Sequence, residues 1–213
     1  MQTGLTGAIV RICDWIARLA FLNILWIAFT LVGFVFLGFF PATIAMFSVC
    51  RRWVMGEQDV PVYKTFFQSY RTEFRKGNLI GICLMAIVYI LWVDYRILQT
   101  SASSNLQSLA YVFFLLFVFY GIFLLFLFPM YVHYELKGRQ LIKNTLLLAI
   151  ASPLTAIVMV TGVLLVYYLS LSISGVVFFF SGSILALFIM WFSYRVFQKH
   201  KGIELTHEKD VSI

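Results

Sequence analysis

Charge is scarce in this 213-residue chain. Only 12% of its residues are Asp, Glu, Lys or Arg, against roughly 25% in an ordinary soluble domain. So little charge cannot coat a globule in which 62% of residues are hydrophobic and the mean hydropathy is +0.94. The excess apolar surface must face lipid, which excludes a secreted disulfide domain, a nucleic-acid module and an ordinary soluble enzyme. Cysteine is scarce too. Cys13, Cys50 and Cys83 are odd in number and far apart, with no C-x-x-C pair, so they build neither a disulfide framework nor a metal site. Missing as well are a G-x-S-x-G elbow, a Walker loop, an H-E-x-x-H pair and a carboxylate dyad. The expectation is a non-enzyme with no cofactor and no metal.

What the chain has is long apolar runs. A crossing helix needs about 20 mainly apolar residues, at about 1.5 Å each, for a hydrocarbon core of about 30 Å. Leu19–Phe40, Leu79–Leu98, Leu109–Val132, Leu146–Leu169 and Val176–Val196 meet that test. The only formal charges inside them are Asp94, Arg96 and Arg195, all near an end. Lipid cannot satisfy unpaired backbone groups, so the runs are read as helices. The first run lacks an A-x-A-like cleavage site and is an uncleaved anchor.

Between them lies PATIAMFSVCRRWVMG, where Pro41 suits the first turn of a new helix. A helix from Pro41 to Met55 is about 22 Å long, short for a crossing unless Arg51 and Arg52 snorkel to the interface. Either five helices cross, or six with a short second one. With six, fifteen of the sixteen Lys and Arg lie on the cytoplasmic side and both termini are inside. With five, thirteen do, so the positive-inside rule favours six. The expected fold class is an all-α polytopic transmembrane bundle over residues 1–197: five long spans, a short helix after Pro41 and an interfacial helix over 61–78. Residues 198–213 form a polar, loosely ordered cytoplasmic tail.

The 61–78 stretch carries the clearest amphipathic pattern. Tyr63, Phe66, Phe67, Tyr70 and Phe74 make an aromatic side; Lys64, Gln68, Arg71 and Arg75 make a basic one. It is expected to lie aromatic face down in the cytoplasmic interface. The basic face then serves anionic lipid, or a cytoplasmic partner for which Lys64, Arg71 and Arg75 are the candidate contacts. Ionisable residues at membrane depth are functional candidates by default, which singles out Asp94 and Arg96 near the outer boundary. An aromatic-belt role beside Trp92 and Tyr95 is the plainer reading. Asn23 in the first run needs an interhelical hydrogen bond. Gly77 with Gly81, and Gly182 with Ala186, have the small-xxx-small spacing that lets helices approach within a bundle; the same spacing leaves a homo-oligomer open. Pro129 and Pro153 should kink their helices. His133 and Glu135 have no metal-pair spacing, and His200 and His207 sit in the tail.

The stretch LNILWIAFTLVGFVFLGFFPATIAMFSVCRRWVMGEQDV, followed by FFQSYRTEFRKGNLIG, resembles the YesL family of bacterial integral membrane proteins. Leu22, Leu25 and Trp26 match its L-x-x-L-W-like first helix. Pro41, Ala42 and Thr43 match its G-P-A-T-like turn, and Phe67, Phe74 and Asn78 its aromatic lead into the next span. Phe39-Phe40 stands where that family commonly has T-I-G. FPMYVHYELKGRQLIKNTLLLAIASP fits the family's later run as well. The resemblance implies a multi-pass plasma-membrane protein of Gram-positive-type bacteria, often encoded beside carbohydrate ABC importers and glycan-degrading enzymes, with no established catalytic residues. An accessory component of carbohydrate uptake, contacting an ABC permease or ATPase, is the leading expectation. The alternatives are a stand-alone small-molecule or lipid transporter with a polar path around Asn23, Asp94 and Arg96, and a scaffold without ligand. No nucleic-acid partner is expected.

Overall fold

The computed structural model describes the backbone of residues 5–57, 59–100, 104–134, 136, 138–172 and 174–210. Side chains are described for 7–57, 59–100, 109–134, 136, 138–169, 172 and 180–199. Among the described residues there are seven helices and no strand: α1 (Leu5–Val32), α2 (Phe36–Val54), α3 (Val62–Gln99), α4 (Ser104–His133), α5 (Gly138–Ala151), α6 (Pro153–Ser172) and α7 (Ser174–Asp210). Gly7–Val32, Val62–Gln99, Leu109–His133 and Phe180–Lys199 are each long and apolar enough to cross a membrane, and the α5–α6 pair makes a fifth if counted together. The all-helical polytopic bundle expected from the apolar runs is therefore what the chain forms.

The short helix is the hub. Eleven of the nineteen residues of α2 are buried, and it touches α1, α3, α4 and α7. Its small side chains are the reason: Gly38, Ala42 and Ala45 let neighbouring backbones approach, while Met46, Phe47 and Trp53 fill the gaps between them. Pro41 is not its first turn, as the sequence suggested; the helix begins five residues earlier, at Phe36, and carries Pro41 buried inside it.

The turn from α1 into α2 is unusually tight. Val35 N–H donates to Thr30 O at 2.9 Å and Phe34 N–H to Leu31 O at 3.0 Å, the paired bonds of a Schellman cap. Phe34 occupies its left-handed position with φ 53°, where glycine is usual. Phe36 N–H then donates to Phe34 O at 2.7 Å across Val35, which has φ 64° and ψ −62°, a γ-turn.

Several expectations change shape. The interfacial helix and the second long span are one helix, α3, of 38 residues and so about 57 Å. Nothing in the stretch FRKGNLIG breaks it, because Asn78 turns its side chain onto Phe74 O at 2.8 Å and remains helical. Part of the aromatic side of its first half packs on protein. Phe66 and Tyr70 are buried against Phe29 of α1, with ring centroids 5.3 and 4.9 Å away; Tyr63 and Phe67 remain exposed. The run 146–169 is cut: Pro153 starts α6 rather than kinking a continuous helix, and α5 meets α6 at 92°. Proline lacks the N–H that would have continued α5, and its fixed φ suits a first helical position. Pro129, by contrast, is carried inside an unbroken α4. The tail expected to be loosely ordered continues α7 as helix to Asp210, since Ile203–Asp210 holds neither Gly nor Pro to stop it; residues 211–213 lie outside the described residues.

Candidate functional site

The sequence candidates separate into three places. Lys64, Arg71 and Arg75 are exposed on one side of α3, spread over about 16 Å of helix. The opposite side of those turns is held by Phe66 and Tyr70, and Tyr70 Oη donates to Phe29 O at 3.2 Å. The basic face is thus mounted on turns whose other side is packed against α1.

Asn23 lies in the α1–α7 seam, 1% exposed, and its Oδ1 accepts the Ser183 N–H at 3.1 Å. That is the interhelical bond the sequence called for. Gly182 makes it reachable, because a Cβ there would stand 2.7 Å from Oδ1. Ala186, one turn on, is buried in the same helix. Gly77 and Gly81 likewise serve packing inside the bundle, Gly77 against Pro41 and Ile44 and Gly81 beneath the Phe40 ring.

Asp94 and Arg96 sit at the far end of α3, where Arg96 lies 5.7 Å from the Trp92 ring and Tyr95 meets Phe114 of α4. A cavity of about 480 Å³ beside them is lined by Tyr95, Gln99, Ala110, Tyr111 and Phe114. The fold does not bring this pair to Asn23: one site is in the α1–α7 seam, the other on α3 and α4 beyond the end of α2.

A polar seam that the sequence did not reveal joins four helices at the basic end of the bundle. Ser48 of α2 and Ser69 of α3 share a hydrogen bond of 2.9 Å. Tyr131 Oη of α4 donates to the Glu73 carboxylate of α3. Arg51 Nε of α2 donates to His133 Nδ1 of α4 over a long 3.4 Å, so the imidazole accepts there. The His133 ring stacks on Phe197 of α7 at 5.0 Å, with Tyr194 at 5.6 Å. These partners are 21, 58 and 82 residues apart in sequence, and no local pattern links them. Glu135 lies outside the described residues, as do the side chains of His200 and His207. Among the described residues no three His, Cys, Asp or Glu cluster as metal ligands would. Chemically the seam locks helices: every bond joins two elements, and its charged groups are half-buried and partnered.

These features define a multi-pass, all-helical membrane-type protein with a buried central helix, a basic face and a polar interhelical seam. Residues 19–95 match the family described as "Protein of unknown function, DUF624". Three uncharacterized proteins of Bacillus subtilis (strain 168) are similar over nearly the whole chain. YesV is 39% identical over 201 residues, 93% of this chain and 96% of its own length. YesL is 34% identical over 198 residues, 93% of each. YteU is 35% identical over 196 residues, 92% of this chain and 88% of its own. The chain therefore belongs to the DUF624 family, the YesL-like family that its motifs resemble. No solved structure matches it.

Proposed function

We propose that this protein is a non-enzymatic accessory component of ABC-type carbohydrate uptake in the bacterial plasma membrane, and that Lys64, Arg71 and Arg75 dock a permease or ATPase of such a system. The observation that carries the reading is the fixed basic face of α3. An amphipathic helix that serves only lipid lays its aromatic side into the bilayer. Here Phe66 and Tyr70 are committed to the protein core, which leaves the basic side as a preorganised surface complementary to an acidic one. The family's association with carbohydrate importers supplies the class of partner, and the excess of Lys and Arg at this end supports a cytoplasmic location for it and for both termini.

The test is a photo-crosslinking residue at Gln68, between the basic side chains, in cells grown on the relevant glycan. A permease or ATPase should be captured, and Arg71→Glu with Arg75→Glu should abolish the capture without lowering the amount of protein in the membrane. Capture of neither subunit overturns the reading. So does sugar flux through proteoliposomes holding this chain alone, which identifies a stand-alone transporter.

A further inference from the structure

We propose that the α1–α2 hairpin does not cross the membrane. It enters the leaflet nearer the basic end, turns there and returns, seating Leu31–Phe39 among acyl chains.

Reach is the first argument. No formal charge or histidine stands between Arg18 and Arg51, so the apolar limbs of the hairpin are Leu19–Val32 and Phe36–Cys50. At 1.5 Å per residue each limb is about 21–22 Å, against a hydrocarbon core of about 30 Å. The neighbouring helices give the shortfall directly. Phe40 packs on Gly81, and from that level α3 runs eighteen residues on to Gln99, whereas α2 has only four left before Phe36. Phe47 stacks on Phe128, and from there α4 runs back twenty-four residues to Ser104, whereas α2 runs back eleven. Both comparisons leave the turn about 20 Å short of the far end of α3 and α4.

The chemistry of the turn agrees. Phe34 and Phe36 are 84% and 83% exposed, Val32 72% and Leu31 63%, in a segment, LVGFVFLGF, without one polar side chain. The sequence that joins the far end of α3 to the start of α4 reads QTSASSN. A turn in water is built like the second; a turn in hydrocarbon must be built like the first. Hydrocarbon also demands that backbone donors be satisfied internally. Five consecutive N–H groups, Gly33 to Leu37, donate to backbone carbonyls of the turn itself. This accounts for Phe34 and Val35 at positive φ: the tight closure is kept with apolar side chains where a water-facing turn would use Gly or Asn. Counting Lys and Arg could not show any of this, because a hairpin that returns and two full crossings leave every loop on the same side. Crossing then falls to α3, α4, the α5–α6 pair and α7.

Single cysteines in a chain lacking Cys13, Cys50 and Cys83 test it, probed with a membrane-impermeant maleimide on sealed cells and on inverted vesicles. Lys64→Cys should label from one face only and Gln99→Cys from the other. Phe34→Cys and Val32→Cys should label from neither face, and both should label after denaturation in SDS. A nitroxide at either tip position should be relaxed by oxygen and not by a water-soluble nickel chelate. Labelling of the tip from the Gln99 face means that α1 and α2 cross, and labelling from the Lys64 face means that the tip stands in water. Either result overturns the proposal.

Discussion

Gly38→Ala is expected to damage this fold far more than a methyl group ordinarily does. A Cβ at position 38 would stand 2.7 Å from Phe29 O and 2.8 Å from Thr30 Cα, and nearer still to Thr30 O. Carbon–oxygen contacts between helices settle at about 3.3–3.6 Å, so α1 and α2 must part by about 0.5–1 Å. The obstructing atoms are main chain and cannot rotate aside. Overpacking typically costs about 1–3 kcal/mol, and the rigid surroundings put this case at the upper end, about 2–3 kcal/mol. For a chain of this length that lowers the melting temperature by about 4–12 °C. Gly121→Ala is the matched control: nothing lies within 4 Å of its Cβ position in α4. There alanine is simply the better helix former, by about 0.8–1 kcal/mol, so the melting temperature should rise by a few degrees. Both variants are to be melted in one detergent and followed by circular dichroism. If Gly38→Ala melts no lower than Gly121→Ala, the close backbone contact between α1 and α2 does not exist, and the tight closure of the hairpin falls with it.

Two further outcomes follow from side-chain geometry. Asn23→Ala leaves the Ser183 N–H without its acceptor across the α1–α7 seam, and thermal unfolding should register a loss of about 0.6–1.7 kcal/mol, the range for polar contacts between membrane helices. The two glycines of the G-x-x-x-G pair should differ. A Cβ at Gly81 meets the Phe40 ring at 2.6 Å and closer, whereas at Gly77 the nearest atom is the mobile Ile44 Cδ1 at 2.9 Å. Gly81→Ala should therefore destabilise more than Gly77→Ala, and Phe40→Ala should recover part of the Gly81→Ala loss in the double variant.

The bundle was legible because hydropathy and length speak about each helix separately. The runs at 19–40, 79–98 and 109–132 correspond to α1 with the start of α2, to the far part of α3 and to α4. What escaped was most of what is decided between helices, the Asn23 bond and the small-xxx-small contacts excepted. Pro41 looked like a helix start because proline favours that position locally; tertiary packing of α2 against four neighbours overrode the preference. The aromatic side of 61–78 was visible, but an aromatic stripe is equally content in lipid or against Phe29, and periodicity cannot tell one apolar surroundings from the other. Pro153 carries the signal of a break: in an otherwise continuous apolar run it ends one helix and starts another. The seam through Glu73, Tyr131 and His133 left no trace at all, since each residue alone looks like an ordinary polar group near a helix end.

Tyr70 ties the two surfaces singled out above. It belongs to the turns of α3 that present Arg71, yet its hydroxyl donates to Phe29 O, the carbonyl that also accepts the Gly33 N–H at 3.1 Å, and it lies 3.0 Å from where a Gly33 Cβ would be. The basic face and the apolar tip are thus joined through one carbonyl at the end of α1. Tyr70→Phe removes that link and keeps the ring edge-on to Phe29 and parallel to Phe66, so no cavity opens. The global loss should be only about 0.5–1.5 kcal/mol, the net worth of one hydrogen bond. Its effect should be local. With the Phe29 carbonyl released from α3, the amides of Gly33–Leu37 should exchange faster with deuterium, while those of α4 around Gly121, where Tyr120 bonds Leu84 about 21 Å along α3 from Tyr70, keep their rate. Equal acceleration in both places would mean that the substitution merely loosens the bundle. An unchanged rate at Gly33–Leu37 would mean that the turn is held by its own bonds, and that no mechanical connection runs from the docking face to the tip.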